Sequence, residues 1–333
     1  MSKLKRQSSE GVSSSVYNAV HDPLHTVRLD KVMLPALKEL SPTPQFVQLW
    51  NADGELPLVN TTFGQVPHGS LLSYQLSDHS PVGHEDIIHI QDAPAPEPFE
   101  LPEIKNYFYF PLNYNLDCAY FGLEVSHQQA IDFESETKQQ SSNKKWHCLR
   151  EKRLTASKFK RICARKADFS SLANSLKSAK NIQTKQMLHG LEQEPFAAKQ
   201  YADMHGRNVY MVGFVINPSG FHLGCSPDRR VYDPDAQPVF GLLEIKCPSV
   251  ETIADCKYLT VSNEGRFQLK KTHEYYFQVM GQMGLTGSKW CDFFVHAKHE
   301  YHCERILYDD DFFQRMKEKL DLFYFNFLLT HFA

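Results

Sequence analysis

At 333 residues the chain has room for one large domain or two modest ones, and 42% hydrophobic with 12% aromatic residues is the make-up of a globular protein with a buried core. A net charge of −3 excludes a protein that is basic all over, while a local patch of Lys and Arg for nucleic acid remains open. Eight cysteines without a C-x-x-C pair exclude a small disulfide framework and point to reduced thiols. With no run like a signal peptide or membrane span, the expectation is an intracellular protein without a membrane partner, nuclear if eukaryotic.

Residues 1–16 are polar and Ser-rich, the pattern of a disordered leader. Residues 17–115 form a Pro-rich region of unknown role: twelve of the 18 prolines fall between Pro23 and Pro111, and 93–98 reads Ala-Pro-Ala-Pro-Glu-Pro. Short apolar runs at 46–50 and 86–90 read as strands or docking segments, with no catalytic signature. Residues 116–333 are the third expected unit.

Its helical spacing predicts a helix over 120–138, then a polar loop to Lys145. The segment from Trp146 to Phe159 gathers cations around hydroxyls, with Thr155 or Ser157 as the N-cap of a helix. A helix start beside Arg150 and Arg153 is a natural phosphate cradle; a solvated basic helix start is the plainer alternative. Over 184–205 the residues Met187, Leu191, Ala198 and Tyr201 share a helical stripe with Glu194, and Pro195 introduces a kink. Runs at 209–216 and 221–225, joined by Asn217-Pro218-Ser219-Gly220, predict a hairpin. With the strand over 239–246 they make a three-strand meander that brings Asp228 and Glu244 to one edge. A helix over 270–285 sets Gln278 and Gln282 on one face. Strands at 290–296 and 303–308 and an amphipathic helix over 310–329 follow.

In the apolar strand Gly241-Leu242-Leu243-Glu244-Ile245-Lys246-Cys247-Pro248, Glu244 and Lys246 point the same way because side chains alternate. Neither charge belongs in so apolar a strand without a partner. Asp228 adds a second carboxylate sixteen residues upstream. Together they form a constellation that hydrolyses phosphodiesters with a divalent metal, which asks for oxygen ligands. Asp228, Glu244 and the carbonyl of Ile245 are the candidate metal ligands, with Glu194 completing the shell from its helix. Lys246 is the group for the water or the transition state, and Gln278 for orienting the water or a ligand.

Five segments together resemble the YqaJ-type viral recombinase family, the branch of PD-(D/E)XK nucleases that includes phage lambda exonuclease. They are Trp146-His147-x-Leu149-Arg150 with Leu154-Thr155-Ala156-Ser157; Gly190-x-x-x-Glu194-Pro195; Ser226-Pro227-Asp228; Leu243-Glu244-Ile245-Lys246-Cys247-Pro248; and Tyr276-Phe277-Gln278-Val279. The resemblance implies an α/β (α+β) fold with a restriction-endonuclease-like core, a mixed central sheet flanked by helices, behind the Pro-rich N-terminal extension. It implies that Asp228, Glu244, Lys246 and Gln278 are catalytic, with Asp228, Glu244, Ile245 and Glu194 at the metal. Arg150 and Ser157 match residues that hold the 5′-terminal phosphate of DNA. The implied activity is Mg²⁺-dependent (or Mn²⁺-dependent) 5′-to-3′ exonuclease action on duplex DNA ends in recombination, with a homo-oligomer compatible and the recombination partner open. This chain departs from the family in carrying Arg229-Arg230 where Gly often follows Ser-Pro-Asp; the arginines could touch DNA or crowd the turn. The loop with Asn263-Glu264-Gly265-Arg266 could lie over the substrate.

Three alternatives stand beside this reading. One is a DNA-end-binding protein without cleavage, and another a structure-selective endonuclease on the same fold. The third is a zinc module built on Cys291, His296, His299, His302 and Cys303.

Overall fold

The computed structural model describes residues 39, 58–61, 64–67, 85–107, 112–177 and 184–333. The leader over 1–16 and the apolar run at 46–50 lie outside them. The chain divides into two units, Met1–Pro81 and Val82–Ala333. In the first, strands β1 (Leu58–Thr61) and β2 (Gly64–Pro67) pair antiparallel.

The second unit contains α1 (Tyr114–Phe121), α2 (His127–Glu136), α3 (Lys144–Glu151), β3 (Leu154–Thr155), α4 (Phe159–Cys163), α5 (Phe169–Lys177) and α6 (Lys185–His205). Then follow β4 (Asn208–Met211), β5 (Leu223–Gly224), β6 (Arg229–Tyr232), β7 (Phe240–Lys246), β8 (Leu259–Val261) and β9 (Phe267–Leu269). The last are α7 (Glu274–Thr286), β10 (Trp290–His296), β11 (Tyr301–Leu307) and α8 (Asp310–Phe323). No described helix is long and apolar enough to cross a membrane.

Five strands form one sheet in the order β11-β10-β7-β6-β4. It is mixed, as expected: β10 runs parallel to β7, and the other pairs are antiparallel. The parallel step follows from α7, whose crossover returns the chain in the same direction. On one face Ala197, Ala198 and Tyr201 of α6 pack on Leu243, Ile245 and Phe294. On the other, Leu242 and Phe293 join Val279, Met280 and Met283 of α7 in the larger core. Gly281 keeps α7 close to the chain at Phe159, since a Cβ there would sit 2.5 Å from that ring.

Three expected elements differ. The helix expected over 120–138 is two helices, because Gly122 ends α1 and Ser126 restarts the chain with a capping box. The run at 209–216 does not form a full hairpin with 221–225. Only Val215 and Cys225 bridge, β5 pairs parallel with β3, and β4 pairs instead with β6, which completes the meander. The helix expected to 329 leaves α-helical geometry at Tyr324, passing into a π-helical turn.

The second unit also takes in 82–115, which the sequence reading set apart. Ile87 exchanges both backbone hydrogen bonds with Val209 at 2.8 Å, and Asn208 Oδ1 accepts the N–H groups of His89 and Ile90 at 2.7 Å. Phe99, Leu101 and Ile104 enter the main core. Further on, Asp321 Oδ2 accepts Tyr107 N–H at 2.7 Å and Lys317 donates to Asn106 Oδ1 at 2.8 Å. Proline-rich backbone stays extended, so this segment straps the sheet without building a core of its own.

Candidate active site

The site begins with β7, the middle strand, whose two faces are both covered. Leu243 and Ile245 face α6, so alternation sends Leu242, Glu244 and Lys246 toward α7. Glu244 is fully buried. Lys246 Nζ and Gln278 Nε2 both donate to its Oε1, the latter at 2.6 Å, and Gln282 Nε2 donates to Oε2 at 2.7 Å. Two amides reach one carboxylate because positions four apart on α7 lie one above the other. Sequence reasoning placed Gln282 on that face without giving it a role; its spacing to Gln278 was the signal.

Lys246 lies 4.7 Å from the centre of the Tyr275 ring. Burial pulls its pKa down, but Glu244 and Asp228 outweigh burial and hold the ammonium charged. Arg229 pairs with Leu243, so the residue before it comes level with Glu244. There Asp228 Oδ2 accepts the Ile245 N–H at 2.6 Å. Gln140 holds the turn before it, donating to the carbonyls of Pro227 and Val212 at 2.9 Å. The sequence reading had left Gln140 in a polar loop.

Glu194 comes down from α6, where Pro195 is accommodated inside the helix. Its Oε1 accepts from Arg229 Nη1 at 2.7 Å, and the same nitrogen donates to the Asp228 carbonyl at 2.6 Å. Burial, then the charge of Asp228, raises the carboxyls of both Glu194 and Glu244 to about 7. Arg229 is buried in this contact, and Arg230 is held between the rings of Phe99 and Phe240 at 4.7 Å from each. Arg229 is therefore turned inward, away from the DNA contact that the sequence had allowed.

Three carboxylates and the Ile245 carbonyl are hard oxygen donors, and the mutual repulsion around Asp228 is what a cation relieves. The donor chemistry fits a divalent ion. Among the described residues, however, no group of three or more His, Cys, Asp or Glu already converges on one point. Glu194 is engaged by Arg229, and Glu244 by Lys246 and two amides.

A cavity of about 690 Å³ opens beside these groups, lined by Trp146, Met187, Leu191, Glu194, Asp228 and Lys246, among others. Glu244 lies beneath its wall. Met187 and Leu191, on the stripe of Glu194, are 54% and 39% exposed, because this half of α6 stands over the cavity.

On α3, the Arg150 guanidinium stacks 3.7 Å from the centre of the Trp146 ring. Trp146 Nε1 and Arg150 Nη1 both donate to Ser226 Oγ, at 2.9 and 3.5 Å. Among the described residues Arg150 has no carboxylate partner, and burial lowers its pKa to about 10. Lys158 is lowered by burial and then by Arg150, so two cations share this corner. Ser157 is exposed in a single 3-10 turn, its hydroxyl 3.4 Å from Thr155 Oγ1, with no hydrogen bond to Arg150. The expected side-chain cap is absent there, since Thr155 belongs to β3. Ser226 links this corner to the buried acid: its carbonyl accepts from Gln282 Nε2 at 3.4 Å.

The five zinc candidates do not share a site. Cys291 lies opposite Ile306 and Cys303 opposite Phe294 in the β10–β11 pair, while His299 pairs with Glu251.

Residues 145–289 match the family model of the YqaJ-like viral recombinase domain. The alkaline nuclease of Orgyia pseudotsugata multicapsid polyhedrosis virus is 28% identical over 211 residues, covering 56% of this chain and 48% of its own. The chain thus spans about half the length of that curated relative. Two crystal structures of LHK-Exo, an alkaline exonuclease from Laribacter hongkongensis, are 28% identical over 54% of this chain and 90% of theirs. Their TM-scores are 0.44, for the complex with dAMP, and 0.43.

Proposed function

Since residues 145–289 match the family model of the YqaJ-like viral recombinase domain, we propose that the chain is a divalent-metal-dependent deoxyribonuclease that degrades linear duplex DNA from ends bearing a 5′-phosphate, in the 5′-to-3′ direction. The observation that carries this reading is the grip of Asp228 on the Ile245 N–H beside the buried Glu244–Lys246 pair, at the wall of a cavity. Asp228, Glu244 and the Ile245 carbonyl would hold the ion, Mg²⁺ or Mn²⁺. When bound, it supplies positive charge to the phosphoryl oxygens and lowers the pKa of an attacking water.

The protein's own groups do the rest. Lys246 is held charged on a flexible stem next to the cavity, where it can leave Glu244 and meet charge developing on phosphorus. Gln278 orients the Glu244 oxygen it shares with Lys246. Arg150, planar and without an acid partner among the described residues, suits the terminal phosphate of the 5′ end, with Ser157 on the neighbouring turn. The match to a viral recombinase domain supports a role in recombination or end processing.

The test compares linear and closed circular duplex, each with and without Mg²⁺, and linear duplex with 5′-phosphate or 5′-hydroxyl ends. Cleavage of phosphorylated linear duplex alone is expected, lost in Lys246→Ala. Equal cleavage of circular DNA would replace the exonuclease reading by an endonuclease. Binding of ends with no cleavage under any metal would leave a non-catalytic end-binding protein.

A further inference from the structure

Arg229 sits where a cation would otherwise be needed. Its guanidinium bridges Glu194 Oε1 at 2.7 Å and the Asp228 carbonyl at 2.6 Å, so it pairs the charge of Glu194 beside Asp228. It is also fixed. The side chain is 3% exposed, Nε is buried without a partner, and the backbone is paired to Leu243 in the sheet. Swinging the guanidinium away would leave a charge in the apolar layer under α6, a costly state.

The other cation at the site behaves differently. Lys246 is 19% exposed, lines the cavity and carries a point charge on four methylenes, so it can release Glu244 to a metal without entering the core. Gln278 and Gln282 are neutral and do not compete electrostatically for Glu244. Of the three carboxylates, then, Glu244 and Asp228 can be surrendered to an ion, and Glu194 is held.

Charge balance agrees. Three carboxylates against Arg229 and Lys246 leave one net negative charge, which a single divalent ion more than cancels. Two divalent ions would add positive charge beside a guanidinium that cannot retreat.

Resting on the reading that Asp228 and Glu244 bind a divalent ion, we infer that Arg229 substitutes for a second cation, keeping Glu194 out of metal coordination so that the site takes one divalent ion. Glu194 is then a positioning residue that holds Arg229 against the Asp228 carbonyl. It is not the metal ligand that the sequence suggested.

The experiment counts Mn²⁺ bound to the full chain by electron paramagnetic resonance, alone and with a deoxynucleoside 5′-monophosphate. Wild type and Arg229→Lys should bind one ion, and Arg229→Met two. Glu194→Gln should leave the wild-type ion in place, with its Kd changed by much less than about tenfold, and should remove the second ion from the Arg229→Met background. Two ions on wild type, or a loss of Mn²⁺ affinity of about tenfold or more from Glu194→Gln alone, overturns the inference. Should Arg229→Met fail to fold, Glu194→Gln and the wild-type count decide it. No Mn²⁺ on the wild type overturns the metal reading itself, a result distinct from a count of two.

Discussion

Gln282 donates to the Oε2 oxygen of Glu244 at 2.7 Å from a position one helical turn beyond Gln278. The two amides are not equivalent, because Gln282 is fully enclosed and Gln278 is half-buried. Gln282→Leu leaves a buried carboxylate oxygen without its donor, and the expected cost is about 1–3 kcal/mol of stability. Gln278→Leu should cost less, because water can reach the vacated position. Urea denaturation of the two variants checks the order; equal losses would mean that the buried bond is not the stronger support.

Asp228→Asn separates the structural from the chemical role of the acid. An asparagine oxygen can still accept the Ile245 N–H, so the melting temperature should stay close to wild type. Cleavage of phosphorylated linear duplex should fall by on the order of 10²-fold or more, because the charge for the metal is gone. Single-turnover assays and a thermal melt on the same preparation test both halves. A variant that cleaves normally removes Asp228 from the chemistry.

These residues also mark what could be read before the structure. An acid and a base two apart in an apolar strand announce a partnered pair, and β7 holds them as that pattern requires. The α6 and α7 periodicities placed Glu194 and the two glutamines on the correct faces. Periodicity tells which face is apolar but not how far a neighbour covers it, so the exposure of Met187 and Leu191 was not legible. Strand β6 was missed because Arg229-Arg230 looks like a solvated pair. Its charges are buried by Glu194 on one side and by Phe99 and Phe240 on the other, and Glu194 and Phe99 are 35 and more than 100 residues away. The strap over 85–107 escaped for a similar reason: the bonds that tie it down run to positions beyond 200, and local composition carries no trace of them.

That strap ends in a buried polar cluster whose protonation should govern acid stability. His222 Nε2 lies 2.8 Å from Asp321 Oδ1, Lys317 bonds the other Asp321 oxygen, and Arg153 and the rings of Tyr120 and Tyr324 lie around it. Burial, with Lys317 and Arg153, outweighs Asp321 and lowers the His222 pKa. Its Nδ1 has no partner among the described residues, so a second ring proton would be unsatisfied. With the folded pKa below the unfolded value of about 6.5, the unfolded chain binds the extra proton. Stability is therefore expected to fall as pH drops through that value, by up to about 1.4 kcal/mol per pH unit from this group. His222→Gln can still donate to Asp321 but cannot titrate, so its melting temperature should depend less on pH between 7 and 5. An unchanged slope would show that His222 is not the group responsible.

Arg150 offers the sharpest test of how the chain reads a DNA end. Its guanidinium lies over Trp146, 3.7 Å from the ring centre, and shares Ser226 Oγ with the indole, so its contact with the ring is used as well as its charge. Arg150→Ala should lose the preference for 5′-phosphorylated over 5′-hydroxyl linear duplex, with a KM for the phosphorylated substrate raised about 10- to 100-fold, as expected for a charged hydrogen bond of about 1.5–3 kcal/mol. Lysine keeps the charge but neither stacks as a plane nor presents a fork, so Arg150→Lys should recover only part of the preference. The kcat on hydroxyl-ended substrate should be nearly unchanged in both variants, since Arg150 touches neither Asp228 nor Glu244. If Arg150→Ala instead lowers kcat equally on both substrates, the residue supports the fold of the site through Ser226 and Gln282, and the phosphate is held elsewhere.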